Sequence, residues 1–120
     1  MKIQKFQDLD VFKLAYKVSL EIHEKTKTFP KDEQFGLTSQ IRRSSKSICA
    51  NIAEGFGKQI SSGAEFKRYL SIAKGSAEEM QLWIMYCRDC GYINDAQKNE
   101  WAERYDHISK MLYKLHKAWK

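Results

Sequence analysis

Proline and glycine are scarce in this sequence, because its 120 residues include one proline and six glycines. That is too few for a loop-rich or low-complexity chain. Long apolar runs are also missing, since no segment approaches the ~20 apolar residues that a membrane-spanning helix needs. The first eight residues likewise lack the apolar core of a signal peptide. The sequence therefore predicts a cytoplasmic globular protein with no membrane partner.

Cysteine is rare and odd in number, with three residues in all. An odd count argues against a disulfide framework and fits a reducing compartment. Cys87 and Cys90 form a C-x-x-C motif that could hold zinc or cycle as a dithiol. A structural zinc site needs four ligands, and only Cys49 and three scattered histidines remain. We interpret Cys87 as a small core residue, because it falls on the apolar stripe of a predicted helix.

Recognisable catalytic motifs are absent from the sequence. The three histidines form no H-x-x-x-H or E-x-x-H pair, and no G-x-S-x-G or phosphate-binding loop occurs. Glu54 and Glu79 could be paired carboxylates on facing helices, but the di-iron bundles that use such pairs also need Glu-x-x-His motifs. We therefore predict no enzyme, no metal and no cofactor.

Four stretches carry apolar residues at steps of three and four, the period of a helix with one buried side. They predict helices over residues 8–27, 31–56, 62–90 and 94–119. The clearest stripe is on the third helix: Phe66, Leu70, Ala73, Ala77, Met80, Ile84 and Cys87. Short connections favour antiparallel neighbours, so we predict an all-α, antiparallel up-down-up-down four-helix bundle forming a single domain, residues 1–120.

Glycines in two of these helices lead to separate expectations. Gly55 and Gly57 are predicted to end the second helix, because glycine takes the left-handed cap conformation cheaply. Gly75 falls in the middle of the third helix, at a cost of ~1 kcal/mol relative to alanine. We interpret Gly75 as a point of close contact with a neighbouring helix.

Polar residues in the apolar neighbourhood of the second and third helices predict a structural cluster of Asn51, Glu54 and Glu79. Buried charges must be paired. We therefore expect Glu54 or Glu79 to neutralise Arg42 or Arg43, with Asn51 completing the hydrogen bonds. The spacing leaves open which pair forms.

The chain is basic, with a net charge of +6 and a pI of about 9.2. Such a balance favours an anionic partner such as RNA or DNA. Lysines at i, i+4 and i+7 match a surface that follows phosphates, and they equally match an ordinary solvated face. RNP motifs are absent, so base-specific readout is not supported. The candidate nucleic-acid-binding residues are Arg42, Arg43 and Lys46 on the second helix, Lys110, Lys114 and Lys117 on the fourth, and Lys58, Lys67 and Arg68 near one end of the bundle.

The third helix carries a second set of helically spaced residues beside its main stripe. A helix in a monomeric bundle needs only one apolar side, so the second set indicates burial against another subunit. The candidate oligomer-interface residues are Tyr69, Ile72, Trp83 and Tyr86.

Three motifs follow one another along the chain. They are Phe29-Pro30-x-x-Glu33, then Gln40-x-Arg42-Arg43 with Ser47-Ile48-x-x-Asn51-Ile52-Ala53-Glu54-Gly55, and Phe66-x-x-Tyr69-Leu70-x-Ile72-Ala73-x-Gly75-Ser76-x-x-Glu79. Together they resemble the four-helix-bundle proteins encoded in intervening sequences of bacterial 23S rRNA genes. The resemblance implies a four-helix bundle that assembles as a homopentamer. It also implies a fold similar to the accessory variability determinant of retroelements, a basic pentamer that works with a reverse transcriptase on RNA.

Two function hypotheses follow. The first is a non-enzymatic, basic homo-oligomer that binds RNA or other nucleic acid non-specifically. The second is a protein–protein adaptor or structural oligomer with no nucleic-acid role. The second apolar set on the third helix and the three tryptophans, a residue type enriched at interfaces, favour the second hypothesis.

Overall fold

The computed structural model describes residues 3–59 and 62–119. These residues form four α-helices and two single-turn 3-10 helices, and none of them lies in a strand. No helix within these ranges is long and apolar enough to cross a bilayer. The helices are α1 (Asp10–Thr26), α2 (Leu37–Lys58), α3 (Gly63–Asp89) and α4 (Asp95–Ala118), and the 3-10 turns are Phe6–Asp8 and Lys31–Glu33.

The four helices are arranged as a square. Helix α1 packs on α2 and α4, and α3 packs on the same two helices, whereas among the described residues the backbones of diagonal pairs do not come close. Neighbours run antiparallel, because Trp119 after the end of α4 meets Phe66 at the start of α3, with ring centroids 4.8 Å apart. At the other end, Tyr92 after α3 packs on Phe29 after α1. The all-α, antiparallel four-helix bundle predicted from the sequence is confirmed.

The predicted apolar stripes form the core. All seven stripe residues of α3 are buried. On α4, Trp101, Tyr105, Ile108 and Leu112 are buried. The stripes of the first two helices are buried as well, over Val11, Ala15, Val18 and Ile22 on α1 and Leu37, Ile41, Ile48, Ile52 and Phe56 on α2.

The start of the second helix was predicted wrongly. Helix α2 begins at Leu37 rather than near residue 31, because Lys31–Glu33 forms a separate 3-10 turn and Gly36 leaves helical geometry. The Glu33 carboxylate accepts a hydrogen bond from the backbone N–H of Leu37 at 3.1 Å and another from the Tyr92 hydroxyl at 2.7 Å. Glu33 therefore supplies an acceptor at the N-terminus of α2 from outside the helix. The other helix ends lie within two residues of the predicted ones.

The expectations for three glycines were also wrong. Gly55 and Gly57 stay helical, and α2 continues to Lys58. Gly55 instead allows α2 and α3 to approach closely, because a Cβ atom there would overlap the Cβ of Tyr69 and lie 3.1 Å from Cδ1 of Phe66. A Cβ atom at Gly75 would meet no atom within 4 Å, so Gly75 is not a contact point inside the bundle. Among the described residues only Gly91, with φ of 81°, takes the left-handed conformation, and it lies just after the end of α3.

Candidate nucleic-acid groove and helix surfaces

An open groove of about 1100 Å³ runs between α3 and α4. Ala77 and Tyr105, which are both buried, lie beneath it, and Ala102 lines it from α4. Small alanine side chains on both helices leave the space between them unfilled. At one point Gln81 spans the groove, because its Nε2 donates a hydrogen bond to the carbonyl oxygen of Ala102 at 2.8 Å.

Lysines dominate the charge along this groove. Two of the four lining lysines are paired with acids one turn away, Lys74 with Glu78 at 3.5 Å and Lys110 with Asp106 at 3.0 Å. All four side chains are at least one-third exposed, so solvent screens both pairs. The acids therefore hold these lysines only weakly.

The C-terminal part of α4 supplies the other two lysines. Lys114 and Lys117 line the groove, and within residues 3–59 and 62–119 neither has an acidic oxygen within 4 Å. Tyr113 lies beside Lys114 and lines the same groove with 56% of its surface exposed. The predicted set Lys110, Lys114 and Lys117 is thus brought together along one groove.

The three cations predicted on α2 do not form one surface. Arg42 donates from Nε to Thr26 Oγ1 at 2.7 Å and from Nη2 to the His23 carbonyl oxygen at 3.3 Å, so it holds the C-terminal turn of α1. Lys46 lies beside Arg42, with Nζ 3.2 Å from His23 Nδ1. Arg43 faces the other way and lines a small polar cleft against α3.

The positive charges near His23 lower its pKa. The Lys46 ammonium lowers it most, followed by burial and by Arg42 and Lys27, against a smaller opposing effect of Glu24. The imidazole therefore favours its neutral form, which can accept a hydrogen bond from Lys46.

The remaining predicted cations lie near the end of the bundle where α2 ends and α3 begins. Arg68 is paired with Glu65 at 3.1 Å and covers the ring of Tyr69 at 4.8 Å. Lys58 is exposed in the last turn of α2. Lys67 precedes Lys74 by seven residues, which places both on the same side of α3. None of these three residues is among those that line the groove between α3 and α4.

The predicted polar cluster does not form as a unit. Asn51 donates to the Ser47 carbonyl oxygen at 2.8 Å, and the Ser47 hydroxyl lies 3.2 Å from that of Ser76 on α3. Glu79 separately accepts from the Trp83 indole N–H at 3.1 Å. In the described part of the chain, no ion pair joins the predicted glutamates to the predicted arginines. We call this polar strip the α2–α3 seam: Arg43, Ser44, Ser47 and Asn51 of α2 with Ser76, Glu79 and Trp83 of α3.

The candidate oligomer-interface residues lie beside the seam on α3. Ile72 and Tyr86 are exposed, with 42% and 49% of their surfaces accessible. Tyr69 and Trp83 are half-buried, and the Trp83 indole also donates to Ser44 Oγ at 3.1 Å. Two of the four predicted residues therefore present apolar surface to solvent, and the other two help to join α2 to α3.

The C-x-x-C motif divides between core and surface. Cys87 is buried, and burial raises the pKa of its thiol to about 12, whereas Cys90 is exposed. Across residues 3–59 and 62–119, no group of three or more histidine, cysteine, aspartate or glutamate side chains is placed to hold a metal ion. The buried Cys87 thiol packs with the core.

The sequence profile of the family described as 23S rRNA-intervening sequence protein matches residues 7–114. The chain belongs to this family. The resemblance read from its motifs is thereby confirmed. The bundle is also similar to a crystal structure from Bacteroides thetaiotaomicron, described as a protein with unknown function from the S23 ribosomal protein family. The two share 28% identity and a TM-score of 0.78, over 90% of this chain and 96% of that one. No curated protein sequence matches the chain. Neither match names a catalytic activity.

In this 23S rRNA-intervening sequence protein, the motif residues and the lysine groove lie on different sides of α3. Ser47 and Asn51 on α2 and Ser76 and Glu79 on α3 all belong to the α2–α3 seam. The groove lies against α4, about half a turn away around the axis of α3. These four polar motif residues therefore do not line the groove.

Sequence reasoning missed two residues of the groove in this family member. Lys74 was not grouped with the basic candidates, and Tyr113 was not singled out at all. The seven-residue spacing of Lys67 and Lys74 was a usable signal. No such signal pointed to Tyr113, because its place in the groove depends on which side of α4 faces the gap beside α3.

Proposed function

We propose that this chain is a non-enzymatic, basic homo-oligomer that binds RNA or other nucleic acid non-specifically. The observation that carries the proposal is the row of lysines along the α3–α4 groove. Exposed ion pairs are worth about 0–1 kcal/mol, so nucleic-acid phosphates can replace Glu78 and Asp106 as partners of Lys74 and Lys110. Lys114 and Lys117 have no acidic partner among the described residues, so phosphate binding at these two lysines breaks no ion pair there.

The same chemistry accounts for a lack of sequence preference. Lysine binds phosphate as a point charge, and phosphate contacts position a nucleic acid without reading its sequence. The net charge of +6 adds a long-range attraction that does not depend on any one contact. A cytoplasmic location is part of this proposal, since the three cysteines are free.

A salt titration tests the proposal. Fluorescence anisotropy of a labelled RNA or DNA oligonucleotide should show binding at low salt, with affinity falling linearly in log units as salt rises. Lys114→Gln with Lys117→Gln should reduce the slope by about 0.7 per lysine on a single strand. Lys13→Gln with Lys17→Gln is the matched control, because these exposed lysines on α1 remove the same charge away from the groove. Undetectable binding at low salt, or binding indifferent to salt, would contradict the proposal.

The oligomeric part of the proposal is supported by the exposed apolar side chains of α3. Ile72, Leu82 and Tyr86 fall on one side of the helix, and Gly75 on that side leaves room for close approach. We propose the homopentamer implied by the family resemblance. Light scattering should then give about 70 kDa, five times the chain mass of 14.1 kDa. A mass near that of one chain at micromolar concentration would refute assembly.

One observation favours a second candidate function, a protein–protein adaptor without a nucleic-acid role. Phe35 lies in the turn before α2 with 91% of its surface exposed, far more than any exposed apolar side chain on the helices. Exposed aromatic side chains are typical of protein interfaces. Pull-down after nuclease treatment separates the candidates, because an adaptor keeps its protein partner and shows no affinity for oligonucleotides.

A further inference from the structure

We propose that the α3–α4 groove takes single-stranded rather than duplex nucleic acid, with an unpaired base stacked on Tyr113. The inference rests on the proposed function, since it names which form of nucleic acid this groove binds. It is carried by the position of one aromatic ring among the lysines.

Tyr113 shares the groove with lysines whose ammonium groups can hold a backbone. Lys110 precedes it by three residues and Lys117 follows it by four, so both lie next to Tyr113 on the helix surface, about 5–6 Å away between Cβ atoms. Lys74 lies across the groove on α3. A strand whose phosphates contact these lysines therefore brings its bases within reach of the ring.

The Tyr113 ring is free to receive a base. More than half of its surface is exposed, and it is stacked on no other aromatic ring among residues 3–59 and 62–119. Its hydroxyl has no hydrogen-bond partner in these ranges. Tyr16, the comparably exposed tyrosine of α1, is already stacked on Phe12 with ring centroids 5.7 Å apart.

The groove fits a strand better than a duplex or a small ligand. Aromatic side chains among cations are the means by which proteins bind unpaired nucleic acid without sequence preference, because every base has a stacking face. A duplex keeps its base faces stacked inside and exposes only base edges and backbone, so no base face is free to stack on Tyr113. The groove is open to solvent, as a polymer requires, whereas small-molecule pockets bury most of the ligand's surface.

The test compares one short, unstructured RNA oligonucleotide carrying 2-aminopurine with the same strand annealed to its complement. The full chain should bind the single strand more tightly and quench the 2-aminopurine fluorescence. Tyr113→Ala should weaken single-strand binding by about 5- to 150-fold, the range for loss of one stacked base, and abolish the quenching. Tyr113→Phe should keep both, because the ring stacks without its hydroxyl. Tyr16→Ala is the matched control and should change neither.

Each result separates the two proposals. Binding of neither form at low salt overturns the proposed function itself. Equal affinity for duplex and single strand, with Tyr113→Ala indistinguishable from the full chain, overturns the inference and leaves non-specific phosphate binding in place. Loss of binding in Tyr16→Ala as large as in Tyr113→Ala also overturns the inference. Circular dichroism checks that each variant is folded. If Tyr113→Ala does not fold, Tyr113→Phe still tests the inference, because loss of the quenching in that variant would contradict stacking of a base on the ring.

Discussion

At the residue scale, the Tyr105 hydroxyl is the most informative polar atom of the core. The side chain is fully buried, and its hydroxyl has no hydrogen-bond partner among the described residues. Burial raises the pKa of this hydroxyl and that of the nearby Cys49 thiol, so both stay neutral. A buried polar group without a partner costs about 1–3 kcal/mol.

Tyr105→Phe should therefore increase the free energy of unfolding, by about 1 kcal/mol, because it removes the unpaired hydroxyl and leaves the ring in place. Urea denaturation measures the change. The same substitution at Tyr92 is the matched control and should destabilise, since the Tyr92 hydroxyl donates to Glu33 at 2.7 Å. Destabilisation by Tyr105→Phe would show that the hydroxyl has a partner in solution.

His23 makes stability depend on pH in a defined window. Its pKa is lowered in the folded chain, chiefly by Lys46, so the unfolded chain binds a proton more readily. Stability should be complete above the ordinary pKa of 6.5 and should fall as the pH drops below it. Lys46→Gln should flatten this part of the profile, whereas Lys17→Gln, also an exposed lysine, should not. Thermal melts between pH 8 and pH 5, well above the range of ordinary carboxylates, follow the effect. A profile unchanged by Lys46→Gln would contradict this account.

At the element scale, glycines of α2 and α3 should respond in opposite directions. Gly55→Ala should destabilise by about 1–3 kcal/mol, because the added methyl group overlaps Tyr69 where α2 and α3 touch. Gly75→Ala should stabilise the protomer by up to ~1 kcal/mol, because the new methyl group meets nothing and alanine favours the helix. Urea denaturation of both variants measures the contrast. Equal effects of the two substitutions would contradict the packing described here.

The same glycines show how far the sequence alone could predict the elements. Periodicity was sufficient to predict the four helices and their buried stripes, because the core residues of each helix recur at every turn. Gly55 and Gly75 have no such repetition. Their roles depend on whether another helix lies opposite, and α3 lies against Gly55 while open space surrounds Gly75. The late start of α2 had the same origin, since Glu33 accepts from the Leu37 N–H while it is held by Tyr92 of the α3–α4 connection, which is distant in sequence.

The candidate site was predictable to the same extent. Spacing along α4 was enough to group Lys110, Lys114 and Lys117, since they share one side of a single helix. Spacing could not show that the guanidinium of Arg42 is used by the C-terminal turn of α1, because that contact depends on which helix packs beside it. It also could not show Tyr113 as part of a groove, because the groove exists only where two helices with small facing residues meet.

At the scale of the whole molecule, the two proposed surfaces are compatible because they lie on opposite sides of α3. In the proposed oligomer, contact through Ile72 and Tyr86 uses none of the residues that line the α3–α4 groove. We therefore expect a nucleic acid long enough to reach several grooves to bind more than one of them at once. Linked binding of this kind can exceed the affinity of one site by 10²- to 10⁴-fold without any new contact.

Ile72→Gln with Tyr86→Gln should therefore weaken binding of a long single strand by about 10²-fold or more if assembly is lost, although neither residue touches the groove. Affinity for a strand that fills only one groove should stay unchanged, because the lysines and Tyr113 are intact. Tyr16→Gln with Leu20→Gln is the matched control, since it removes similar exposed apolar surface from α1. Light scattering measures the mass of each sample, and fluorescence anisotropy measures the affinity of the same sample for each strand. A variant that dissociates yet binds long and short strands like the full chain would show that assembly and nucleic-acid binding are independent.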